Sequence, residues 1–94
     1  MAVNRQQFAQ AVLQAGGWPT TQSNLNFLLA WMNREGGSAA FNPLNTTQAA
    51  ADATNYNKVG VKNYTSLQEG VAETVATLQG SLFANVRSAL SAGT

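Results

Sequence analysis

The chain is 94 residues long, carries a net charge of +1 and contains neither cysteine nor histidine. Those absences exclude disulfides, cysteine nucleophiles, histidine triads and Cys/His zinc sites, and the five scattered basic residues form no stripe for nucleic acid. Charged residues make up only 10% of the chain, against about 25% in an ordinary soluble domain, so its polarity comes from amides and hydroxyls suited to carbohydrate or protein contact.

The length supports one small domain spanning residues 1–94, with a modest core. The N-terminus has no apolar leader segment. A first helix is predicted from about Arg5 to Ala15, capped by Asn4 with Gln7 three residues on, its apolar face carrying Phe8, Ala11, Val12 and Ala15. Gly16-Gly17 ends it and Trp18-Pro19 turns the chain. Thr20 or Thr21 starts a second helix whose stripe is Leu25, Leu28, Leu29 and Met32. Its apolar run Phe27–Met32 is far too short to span a bilayer, so no membrane partner is expected. The Gly36-Gly37 pair stops it.

From Gly36 to Tyr64 the helical period disappears, and Asn, Thr and small residues dominate. Structureless loops beyond about 12–15 residues are usually functional or disordered. Within this insert a helical turn is expected around Thr47 to Asp52, and a short hairpin in Asn57–Tyr64. A third helix follows, opened by the Ser66/Glu69 capping box and faced by Val71, Val75 and Leu78. A fourth runs from Ser81 to about Ala92, with Leu82, Phe83, Val86, Ala89 and Leu90 as its stripe and Gly93 as its stop. The fold class is therefore mainly α, about four helices with an irregular polar insert.

Acid–base chemistry rests on Glu35, Asp52, Glu69 and Glu73. Glu69 is explained as a cap partner and Glu73 as solvated surface. Glu35 is different. It lies on the last turn of the second helix, four residues after Trp31. A helix terminus of that polarity disfavours an ionised carboxylate, and an apolar neighbour adds to the effect. Such a glutamate is suited to a general-acid role. The competing reading is an exposed side chain offset by Arg34 or Lys58. Trp31 has two readings, as the wall of an apolar pocket or as core. Neither metal nor cofactor is implied.

The run Phe27-Leu28-Leu29-Ala30-Trp31, then Glu35-Gly36-Gly37, then Phe41-Asn42-Pro43-Leu44-Asn45-Thr46-Thr47 resembles lysozyme-like domains of actinobacterial phage virion proteins. Thr54-Asn55-Tyr56-Asn57, Val59-Gly60-Val61-Lys62-Asn63-Tyr64 and Ala76-Thr77-Leu78 continue the likeness, which covers roughly Trp18 to Leu90. The resemblance implies a small lysozyme-like α(+β) domain presenting Glu35 as catalytic acid over a peptidoglycan groove. Asn42 and Asn45 would face it across a loop, with Trp31, Tyr56, Asn57 and Tyr64 as further substrate-binding residues. Asp52 is the weak candidate for a second carboxylate. Without one, the substrate supplies its own nucleophile, as in lytic transglycosylases. The implied location is the phage virion, after synthesis in the bacterial host cytoplasm. The alternative is a non-enzymatic capsid decoration or minor capsid protein packed on other phage structural proteins. A glycan-binding module without cleavage is a third reading.

Overall fold

The computed structural model describes residues 3–93; Met1, Ala2 and Thr94 lie outside them. Four helices carry the described chain: α1 (Arg5–Gly16), α2 (Gln22–Glu35), α3 (Leu67–Leu78) and α4 (Ala84–Ala92). A two-residue hairpin, β1 (Thr54–Asn55) and β2 (Lys62–Asn63), lies in the insert between α2 and α3. The fold is mainly α, as the hydrophobic periodicity predicts. None of the described helices is long and apolar enough to cross a membrane.

Each of the first three helices starts at a predicted side-chain cap. Asn4 accepts from the Gln7 amide, Thr21 from that of Asn24 and Ser66 from that of Glu69. The Glu69 carboxylate reaches back to the Thr65 amide at 3.0 Å, one residue earlier than a capping box requires. Gly36 closes α2 at φ +60°, and its amide returns to the Met32 carbonyl. That left-handed turn is what glycine permits cheaply.

The core forms where α1 packs on α2 and α3. Phe8, Val12, Leu13, Leu28 and Met32 are wholly enclosed, and Leu78 and Leu90 nearly so. Ala9 and Leu13 occupy the α1 core positions assigned to Ala11 and Ala15, which are respectively half-buried and exposed. One polar residue joins the bundle ends. Buried Asn24 donates through Nδ2 to the carbonyls of Pro19 (2.7 Å) and Leu90 (2.8 Å).

The fourth helix departs from expectation. Ser81–Phe83 form a 3-10 turn, and the α-helix begins only at Ala84. No side chain caps either segment. Arg87 instead collects the carbonyls of Leu78 and Gly80 at 2.5 and 2.7 Å, holding the end of α3. A 3-10 turn advances three residues per turn instead of 3.6, so the predicted stripe loses its phase. Leu82 is 91% exposed and Ala89 is also at the surface, while Leu90 reaches the core.

The insert contains no helical turn at Thr47–Asp52. Side chains capture the backbone groups a helix would use: Thr46 N–H and C=O bond to Asn42, and the Gln48 carbonyl accepts from the Tyr64 hydroxyl. Only a tight turn at Ala51–Asp52 remains, with Ala53 N–H donating to the Ala50 carbonyl. The hairpin also begins earlier than predicted. Asn57 Oδ1 accepts from the amides of Val59 and Val61, making Asn57 the turn rather than a strand residue.

Candidate functional site

Two depressions meet at the C-terminal end of α2. The first, about 600 Å³, is lined by Phe27, Ala30, Trp31, Arg34, Glu35 and Val86. The second, about 360 Å³, is bounded by the insert, α3 and the 3-10 turn, with Asn45, Thr46, Thr47, Thr77 and Phe83 on its walls. Trp31 and Glu35 line both. Helical geometry explains the pairing, because residues four apart share a face. Phe27, Trp31 and Phe83 form an aromatic row, with adjacent centroids 5.8 and 5.9 Å apart. Trp31 is half-buried, packed against the core cluster while lining both depressions, so its two expected roles coexist.

Glu35 is exposed, as the competing reading of the sequence has it. Its carboxylate is nonetheless oriented. Asn45 Nδ2 donates both to Glu35 Oε1 (3.3 Å) and to the Glu35 backbone carbonyl (3.2 Å). Asn45 does this from φ +57°, a left-handed conformation that asparagine tolerates better than most residues. Phe41 also stands at positive φ, +52°. Two such residues bracket the Asn42–Pro43–Leu44 turn, which carries the insert back over the end of α2.

What holds this turn is Asn42. The side chain is fully buried, donates to the carbonyls of Thr46 (2.9 Å) and Lys62 (2.7 Å), and accepts from the Thr46 amide (2.9 Å). All its hydrogen-bonding capacity toward the insert is spent internally, so Asn42 frames the loop and presents no amide to a ligand. Tyr64 departs from its expected role for a similar reason. It is 2% exposed and donates to the Gln48 carbonyl at 2.6 Å. Burial, foremost, pushes its hydroxyl up to about 12, which keeps it a donor.

Tyr56 is half-exposed but lines neither depression, and Asn57 is occupied in its turn. Asp52 lies elsewhere. It accepts from Thr65 Oγ1 at 3.0 Å, and the same hydroxyl lies 3.4 Å from Glu69 Oε1, which brings the two carboxyls together. The contact with Glu69, then that with Thr65, holds Asp52 below the usual carboxylate range, and the same pairing raises Glu69 above it. Neither carboxyl lines the Glu35 depressions. Of the sequence-selected residues, the structure therefore brings together Trp31, Glu35 and Asn45. Among the described residues no group of three or more carboxylates forms a metal cluster.

The site also contains groups the sequence did not single out. Thr46 and Thr77 place their hydroxyls in close mutual contact between insert and α3, and Thr77 Oγ1 donates to the Glu73 carbonyl at 2.9 Å. Phe27 was legible as an i, i+4 partner of Trp31. Phe83 was not, because its position depends on the uncapped 3-10 turn. Set against protein-family models, characterised proteins and solved structures, the chain matches none.

Proposed function

We propose that this is a lysozyme-like domain of a phage virion that binds peptidoglycan glycan strands across the two depressions and cleaves them with Glu35 as the acid. The observation that carries the reading is the position of the Glu35 carboxylate: it lines both depressions, beside an aromatic row, and Asn45 holds one of its oxygens. In the protonated form Glu35 gives its proton to the glycosidic oxygen as the bond to the sugar C1 breaks. Two-carboxylate glycosidases place a base or nucleophile across the ring. Here the opposing wall carries threonines and Asn45 and, among the described residues, no second carboxylate, while Asp52 is engaged by Thr65 beside Glu69. This supports the single-carboxylate route, in which a muramyl hydroxyl attacks C1 and returns a proton to Glu35.

Loss of turbidity in purified cell walls tests the proposal. Wild type is expected to clear the suspension and Glu35→Gln to leave it opaque. No clearing by wild type, or equal clearing by the variant, removes the catalytic reading.

One observation favours the second reading, a non-enzymatic capsid decoration or minor capsid protein. Leu82 on the 3-10 turn is 91% exposed and Phe27 on α2 43%, apolar surface that another phage structural protein would cover. Stoichiometric recovery with purified particles, without wall clearing, supports that alternative.

A further inference from the structure

We infer that Arg34 and the α2/α4 depression form a subsite for the lactyl ether of a muramyl residue, and that Arg34 selects muramyl-containing glycan over chitin-type glycan. The inference rests on the glycan-binding reading above. The two depressions share Trp31 and Glu35 and differ in charge, since Arg34 lines only the α2/α4 one. The insert side has apolar walls too, from Leu44, Leu82 and Phe83, and its polar lining is Glu35, Asn45 and threonines, of which Thr46, Thr74 and Thr77 spend their hydroxyls within the protein. On the α2/α4 side the walls are Phe27, Ala30, Trp31 and Val86, with polarity confined to Arg34 and Glu35 at one end. A lactyl group has the same division, a methyl on one side and a carboxyl or amide carbonyl on the other. Its methyl matches the Phe27–Val86 wall. Its carbonyl oxygens match the guanidinium, which presents planar donors to such acceptors.

Charge supports the assignment. Glu35 lines this depression, and alone it would repel an anionic substituent. Arg34, among the described residues the one cation lining either depression, offsets that charge. It is also exposed, and so is free to reorient toward a ligand. N-acetylglucosamine has a hydroxyl where muramic acid bears the lactyl ether, and gives the guanidinium no comparable partner.

The test is a binding titration of the full chain with two peptide-free tetrasaccharides, one alternating N-acetylmuramic acid and N-acetylglucosamine, the other N-acetylglucosamine alone. Trp31 fluorescence reports occupancy, since the other tryptophan, Trp18, is buried. Wild type is expected to prefer the muramyl ligand about fivefold, the scale of an exposed ion pair. Arg34→Gln should bring the two affinities together by weakening only the muramyl ligand, and Arg34→Lys should retain part of the preference. Equal affinities in wild type, or a preference that survives Arg34→Gln, overturn the subsite while leaving glycan binding intact. No binding of either ligand overturns both.

Discussion

Two asparagines three residues apart do different work, and mutation should separate them. Asn42 bonds three backbone groups inside the insert. Asn42→Ala leaves those groups without their partner, at about 1–3 kcal/mol for each that stays dry. We expect a loss of roughly 3 kcal/mol, read as a fall of more than about 10 °C in a thermal melt. Asn45 instead steadies the Glu35 carboxylate from a left-handed backbone position. Asn45→Gly relieves the conformational cost while removing the donor. Its melting temperature should match or exceed that of wild type, while wall clearing falls. A parallel loss of both would make Asn45 merely structural. The sequence marked both residues for the same loop. It gave no means of telling which amide faces inward, because burial of Asn42 depends on strand β2, twenty residues away.

At the level of elements, caps and stripes were readable where they are local. Asn4, Thr21 and Ser66 each cap through a contact three residues ahead, and Leu28 and Met32 follow helical spacing into the core. The 3-10 turn and the Asn57 turn were not readable, since distant carbonyls and side-chain amides decide both. The junction of insert and α3 yields two predictions. Adding a Cβ at Gly70 would drive it into the Phe41 carbonyl, whose own positive φ leaves little room to adjust. Gly70→Ala should therefore cost about 1–3 kcal/mol by chemical denaturation.

The second concerns Asp52 and Glu69. Asp52 has a lowered folded pKa, so its contribution is present above its ordinary value and fades as pH falls through the folded one. Glu69 has a raised one, so its contribution is present below its ordinary value and fades as pH rises through the folded one. Together they support the junction most in the acid window where Asp52 is ionised and Glu69 protonated, and less toward neutrality. Glu69→Gln keeps a donor beside Asp52 at every pH. Melts of that variant should vary less between about pH 4 and pH 7 than those of wild type, and an identical pH profile would remove the pairing from the account.

For the whole molecule, mainly α architecture followed from four periodic segments. The site did not follow so directly. Glu35 and Trp31 were visible because one helix turn carries both, whereas the opposing wall is assembled from the insert, α3 and the 3-10 turn. Leu82, expected inside, stands at the surface, so Leu82→Ser should shift the unfolding free energy by no more than about 0.5 kcal/mol. The fastening of the insert has a kinetic counterpart. Many residues of that segment are exposed, yet the Thr46 amide is bonded to an enclosed side chain. Deuterium uptake should then be slow at Thr46, whose exchange requires the latch as a whole to release in one sub-global opening, and faster at the exposed Thr47 and Ala49 beside it.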